Sequence, residues 1–211
     1  MLSNNENIAK WLSYFFCLIP ISLVSGPFIP DLLVSLIAIF FLYILYSEKK
    51  FFYLKEKKNL LFIFFCIFIS IRALFSTDIL NSIIPSISYI RFGLFVLAAV
   101  YLIKKVTNFE RNFTKCLLYT ILFVSIDAYI QIIFGYNILG IKNEISDRVS
   151  GLFGSEYVLG SYLVRMFPLL LALSIDKIDF NLRNKCIFII GIVLFNLLVF
   201  YTAERTAFVL N

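Results

Sequence analysis

Residues 31–47 read DLLVSLIAIFFLYILYS, and residues 48–59, which come directly after, read EKKFFYLKEKKN. The first run has a single charge, at its first position, and as a helix it approaches the ~30 Å thickness of a bilayer's hydrocarbon core. The second run carries the lysines Lys49, Lys50, Lys55, Lys57 and Lys58. An apolar helix followed by a lysine-rich connection is typical of a membrane span that ends in the cytoplasm.

The same alternation extends along all 211 residues, which are 61% hydrophobic, against ~45–50% in soluble domains. We therefore predict an all-α fold, a polytopic transmembrane helix bundle that forms a single domain over 1–211. About seven spans are expected, at 9–26, 31–47, 60–76, 83–103, 116–134, 157–175 and 186–203. Because the net charge of +6 acts as a topology signal, the bilayer is an expected partner and nucleic acid is not.

The connections predict the orientation. Basic residues concentrate in the segments 48–59, 104–115 and 176–185, which together with Lys10 leave a loop at about 135–156 on the opposite side. Short basic loops stay in the cytoplasm, so the N-terminus is expected inside and the 135–156 loop outside. The topology is that of a multi-pass membrane protein.

Lysine and arginine are distributed differently across this topology. Eleven of the twelve lysines fall on the cytoplasmic side, whereas five of the seven arginines fall in the outer half of the spans or in the outer loop: Arg72, Arg91, Arg148, Arg165 and Arg205. A topology signal alone would not separate the two residue types. A site that binds phosphate would, because guanidinium holds oxyanions in a planar two-point fork and stays charged when partly desolvated.

Several charged residues are expected inside the membrane. Arg91, Arg165 and Asp127 fall at similar depths in the outer half of their spans, and Gln131 lies on the same helical face as Asp127. Charges there normally face a partner or a watery cavity. We expect them to shape a polar cavity open to the outside; alternatively, Asp127 neutralises Arg91 or Arg165 in a structural ion pair.

Histidine is absent, so the commonest metal ligand and the usual proton shuttle at neutral pH are both missing. Cys17, Cys66, Cys116 and Cys186 are dispersed over apolar runs, a pattern of packing residues with no metal-site spacing. We therefore expect no metal and no cofactor, and any catalytic function would have to proceed without histidine.

Three short elements together resemble the family of O-antigen ligases and O-antigen polymerases, which are bacterial envelope glycosyltransferases. The first is Asp127-Ala-Tyr-Ile-Gln131 followed by Gly135-Tyr-Asn-Ile. The second is Arg148-Val-Ser-Gly-Leu-Phe-Gly154, which leads into a span with Gly160 and Pro168. The third, Thr202-Ala-Glu-Arg205-Thr-Ala, is similar to the family's Ser/Thr-x-Arg-Gly/Thr element. The resemblance covers the N-terminal half of a family member, so we expect the chain to be truncated.

This resemblance implies transfer of a glycan from undecaprenyl diphosphate to an acceptor, either lipid A-core in ligation or another carrier-linked glycan in O-antigen polymerisation of lipopolysaccharide. It implies that Arg205 and Arg148 bind the diphosphate, and we expect a cavity shaped by Arg91, Arg165, Asp127, Gln131 and Glu204. The family's catalytic histidine has no counterpart here, so we expect no catalytic residue within this chain. The resemblance also implies a location in the bacterial inner membrane. Two other functions remain open, namely a small-solute or anion transporter and an inactive truncated membrane remnant.

Overall fold

The structure is a computed structural model, and it describes residues 2–49, 57–142, 148–174 and 182–204. Eight helices are described: α1 (Leu2–Ser22), α2 (Phe28–Glu48), α3 (Lys57–Ala73), α4 (Ile79–Ser88), α5 (Ile90–Lys105), α6 (Phe109–Phe134), α7 (Leu159–Ser174) and α8 (Leu182–Tyr201). Within these ranges no strand occurs beyond an isolated bridge between Tyr136 and Lys142. The predicted all-α class is confirmed.

Seven apolar helical segments of the described residues coincide with the seven predicted spans, but only four of them are long enough to cross a membrane. Among the described residues, four segments are long and apolar enough: Asn7–Ser25, Phe28–Glu48, Ile79–Lys105 and Phe109–Phe134. Three apolar helices are shorter, at Asn59–Ala73, Leu159–Ser174 and Phe188–Tyr201. The multi-pass membrane character is therefore supported by four segments, and the other three spans stay predictions, as do the sidedness and the identity of the membrane.

The predicted span 83–103 consists of two consecutive helices. α4 contains Pro85, and Tyr89 separates its last residue from the first residue of α5. Proline lacks the N–H that would continue the backbone hydrogen bonds of the helix, and its ring crowds the preceding turn, so an interruption close to Pro85 is expected physically.

The chain divides into two compact units, unit 1 (Met1–Ile19 and Pro27–Phe109) and unit 2 (Pro20–Gly26 and Glu110–Asn211). The single domain over 1–211 stays a prediction. In unit 1, α2 packs against α5 through fully buried side chains such as Ile37 and Phe41. The Tyr101 ring centroid lies 5.8 Å from that of Phe41, and its hydroxyl donates to Glu48 at 3.0 Å.

The core of unit 2 is formed by α6, α7 and α8. Its fully buried members include Leu117 and Val124 of α6, Leu163 of α7 and Leu198 of α8. Lipid tails are as apolar as these side chains, so close packing and hydrogen bonds, with little help from the hydrophobic effect, hold such helices together. These three helices form a packed core, and the loop between α6 and α7 lies at one end of it.

Candidate functional site

The polar residues of unit 2 gather where α6 ends and α7 begins, an end that we term the loop end. The predicted loop 135–156 lies here, described over 135–142 and 148–156. Gly135 and Gly140 both have φ of +77°, a left-handed conformation that glycine adopts without steric cost. These glycines turn the chain back towards α6, so that polar side chains of α6 can bind the backbone of the loop.

Asp127 of α6 is fully buried and binds the first arm of the loop. One carboxylate oxygen, Oδ1, accepts a hydrogen bond from the Ile138 N–H at 2.9 Å. The other, Oδ2, has no hydrogen-bond partner among the described residues. The alternative expectation, an ion pair of Asp127 with Arg91 or Arg165, is wrong, because a backbone N–H is the group that the carboxylate holds.

Gln131, four positions later on the same helical face, binds the second arm. Its side-chain oxygen accepts from the N–H groups of Ser150 at 3.1 Å and Gly151 at 2.7 Å. Gln131 is 0% exposed, and its Nε2 has no partner within the described ranges. The predicted shared face of Asp127 and Gln131 is confirmed, and its role is to fix both arms of the loop to α6.

Asn137 joins the two arms directly, a role that the sequence analysis missed. Its Nδ2 donates to the Gly151 carbonyl at 2.9 Å, and its Oδ1 accepts from the Ile141 N–H at 2.8 Å. The signal was present in the sequence, since asparagine between two glycines commonly binds nearby backbone in a turn. Only the structure shows that Asn137, which is 1% exposed, also bridges the two arms through its contact with Gly151.

Arg148 extends from the loop to the end of α8. Its Nη2 donates to the Ala203 carbonyl at 3.2 Å, and its Nε lies 3.5 Å from the Thr202 carbonyl. The guanidinium carbon lies 5.1 Å from the ring centroid of Tyr157, a cation–π contact. A cation at the C-terminal end of a helix is favoured by the helix dipole and by the unpaired carbonyls there.

Glu204 reaches in the opposite direction, to the beginning of α7. Its Oε2 accepts from both the N–H and the hydroxyl of Ser161, the hydroxyl at 2.7 Å. The N-terminal end of a helix favours negative charge because its N–H groups have no partner within the helix. Glu204, 7% exposed, therefore fastens the residues after α8 to α7.

Arg148 and Glu204 thus hold the same short stretch, residues 202–204, from two sides. Ala203 has φ of +50°, which is costly for a residue with a Cβ and persists where the surroundings hold it. The predicted diphosphate ligand Arg205 comes next in the chain and lies outside the described residues.

The remaining predicted residues have different surroundings. Arg91 belongs to unit 1, where its Nη1 and Nη2 donate to the two carboxylate oxygens of Asp31 and its Nη1 also to Ser35 at 3.0 Å. Its charge is therefore neutralised by Asp31, a partner that the sequence analysis missed. Arg165 of α7 is exposed, and within the described ranges no acceptor or carboxylate pairs with it.

The part of the chain that the structure describes holds no group of three or more cysteine, aspartate or glutamate side chains placed to bind a metal ion. Comparison with known proteins adds no relative, since no family model, no curated protein and no solved structure matches this chain. The loop end and the three short sequence elements are therefore the features of this chain that indicate a function.

Proposed function

We propose that this chain is a membrane-embedded glycosyltransferase-like protein that binds the diphosphate of a polyprenyl-linked glycan at the loop end of unit 2. The observation that carries the proposal is the double attachment of residues 202–204, by Arg148 on one side and by the contact of Glu204 with Ser161 on the other. Arg205 is the next residue in the sequence, and we propose that it binds the diphosphate together with Arg148.

The chemistry of glycan transfer suits such a site. When the glycan leaves its carrier, negative charge develops on the diphosphate, and positive groups held in place beforehand stabilise it with little reorganisation. In this proposal Arg205 supplies a guanidinium fork for the phosphate oxygens, and Arg148 supplies a second positive charge. The polyprenyl tail of the donor stays in the bilayer, which the long apolar helices of the chain also enter.

We assign donor binding and leaving-group stabilisation to this chain, and no general base. The sequence contains no histidine, and the Glu204 carboxylate already accepts two hydrogen bonds from Ser161. The proposed acceptors are lipid A-core or a second carrier-linked glycan, with the loop end facing away from the cytoplasm.

The test measures binding of undecaprenyl diphosphate by the chain in nanodiscs of neutral phospholipid. We expect Arg205→Ala to weaken binding by about tenfold or more, since a hydrogen bond to a charged group contributes ~1.5–3 kcal/mol. Lys142→Ala removes a cation of the same loop whose side chain is exposed, and should leave the affinity unchanged. Equal affinity of Arg205→Ala and the unaltered chain would contradict the proposal.

A further inference from the structure

Two buried polar atoms of α6 are left unpaired by the contacts that hold the loop. They are Oδ2 of Asp127 and Nε2 of Gln131; both residues are 0% exposed, and neither atom has a hydrogen-bond partner among the described residues. The two atoms are complementary, because a carboxylate oxygen accepts hydrogen bonds and an amide nitrogen donates them. Buried polar groups as a rule have a partner, since an unpaired one keeps the full cost of its desolvation.

The loop fixes which atom of each side chain stays unpaired. Gln131 Oε1 accepts from the N–H groups of Ser150 and Gly151, so an exchange of its oxygen and nitrogen would set a donor against two donors. Asp127 Oδ1 accepts from the Ile138 N–H, which leaves Oδ2 as the unpaired oxygen. One donor and one acceptor therefore remain on the same helical face, one turn apart.

Both side chains meet the loop at Gly151, which is buried. Its N–H nitrogen lies 2.7 Å from Gln131 Oε1, and a Cβ on this residue would lie 3.3 Å from Asp127 Oδ2. The next nearest atoms to such a Cβ, on Leu159 and Ala128, would lie at 3.6 and 3.7 Å. That space is tight for a methyl group and suits a water oxygen, which approaches a carboxylate to ~2.5–3.0 Å.

The chemistry of the two atoms selects water among small ligands. A metal cation at Asp127 Oδ2 would face the N–H donor of Gln131, and the described residues hold no group of three cysteine, aspartate or glutamate side chains placed to bind a metal. An anion would be repelled by the carboxylate. Water accepts from the amide and donates to the carboxylate at the same time.

We infer that one water molecule is bound between Asp127 Oδ2 and Gln131 Nε2, beside Gly151, and that it is part of the attachment of the loop to α6. The water gives the carboxylate a second donor in addition to the Ile138 N–H. Because both of its partners are buried, it exchanges with bulk water only when the loop opens. The inference concerns the interior of unit 2 and does not depend on the proposed function.

The experiment uses the fact that Gln131 is the only glutamine among the 211 residues. Isotopically enriched glutamine therefore labels a single side-chain amide. Solid-state NMR of the chain in deuterated phosphatidylcholine measures the transfer of magnetisation from water protons to this amide. We expect transfer at short mixing times in the unaltered chain. Its absence would overturn the inference, because the amide would then lie in a dry site.

Two glycine variants form a matched pair for this measurement. Gly151 and Gly140 have φ of +55° and +77°, so alanine carries a backbone penalty at either position. Only the Cβ at Gly151 enters the position assigned to the water, since no atom lies within 4 Å of a Cβ at Gly140. We expect Gly151→Ala to abolish the transfer and Gly140→Ala to retain it. Transfer retained in both variants would overturn the inference.

Asp127→Asn tests the same site without a change in the loop. The asparagine oxygen can still accept from the Ile138 N–H, and an N–H donor replaces Oδ2, so the water loses the atom to which it donates. We expect the transfer to fall severalfold, with thermal unfolding and elution as a single species as the checks of folding. Undiminished transfer would also overturn the inference, because bulk water entering under a loose loop would then explain the signal.

Discussion

Unit 1 and unit 2 both contain an acidic residue in an apolar helix, and the two carboxylates have different partners. In unit 1, Asp31 of α2 binds the guanidinium of Arg91 on α5, so that two opposite charges join two helices. In unit 2, Asp127 binds the N–H of Ile138 in the loop, and the neighbouring Gln131 binds two further loop N–H groups. One carboxylate connects helices, and the other shapes a loop.

The difference indicates where function is expected. A pair such as Arg91 and Asp31 cancels its own charge and leaves little to attract a ligand. The buried side chains of Asp127 and Gln131 bind the backbone of the loop and do not pair with its charged side chains. Arg148 therefore remains able to contribute its positive charge at the end of α8. Substitutions in each unit can test whether unit 2 depends on its backbone contacts and unit 1 on its ion pair.

The largest effect is expected for Gln131→Leu. This change leaves the buried N–H groups of Ser150 and Gly151 without an acceptor, which should lower the free energy of unfolding by about 3 kcal/mol. Denaturant titration in detergent measures the loss, and limited proteolysis should show faster cleavage within 135–156. Stability within about 0.5 kcal/mol of the unaltered chain would remove the distinction between the units.

Thr120→Val is the matched control for that experiment. Thr120 lies on the same helix and is buried, and its hydroxyl donates to the Cys116 carbonyl of its own helix at 2.8 Å. Loss of this hydroxyl leaves the backbone of α6 paired, so the expected cost is below about 1 kcal/mol. Cleavage of the loop should stay at the rate of the unaltered chain.

An intermediate effect is expected when alanine replaces glycine in the loop. Gly151 has φ of +55°, and a Cβ there would lie 3.3 Å from Asp127 Oδ2. Gly140, with φ of +77°, has no atom within 4 Å of such a Cβ. Both changes carry the left-handed penalty of ~1–2 kcal/mol, and Gly151→Ala should cost about 1 kcal/mol more.

The difference between those two alanine variants isolates the contact with Asp127 from the backbone penalty that they share. Unfolding curves recorded for both under one set of detergent conditions provide it. Identical losses at the two glycines would mean that the loop does not lie tightly against α6.

The smallest effect is expected in unit 1. A double-mutant cycle of Arg91→Gln and Asp31→Asn should give a coupling free energy of about 1 kcal/mol, because the two side chains are 26% and 50% exposed. Binding of undecaprenyl diphosphate should be the same for both single variants and the double variant. A weakened affinity in Arg91→Gln would show that Arg91 serves the donor site after all.

The sequence analysis predicted the helices well because each helix depends on local information. Apolar runs recur at lengths that suit a bilayer, and each predicted span coincides with an apolar helical segment of the structure. The shared face of Asp127 and Gln131 was also predictable, since residues four apart are neighbours on any helix. Pro85 could have predicted the interruption between α4 and α5, and this signal was overlooked.

The partners of the polar side chains were not predictable in the same way. Asp31 and Arg91 are 60 residues apart, Glu204 and Ser161 are 43 apart, and Arg148 and Ala203 are 55 apart. Hydropathy and helical periodicity describe a few turns of chain, and they do not specify which helices pack together. The expected pairing of Asp127 with an arginine was wrong for this reason.

The amino-acid sequence alone determined that this protein is a bundle of apolar helices with basic connections, because the cost of exposing backbone and charge to lipid acts on each segment separately. Only the tertiary structure decided that Arg91 is neutralised, that Arg148 and Glu204 fasten residues 202–204 and that Arg165 stays without a partner among the described residues. These outcomes depend on which distant groups are brought within hydrogen-bond distance, and packing alone sets that.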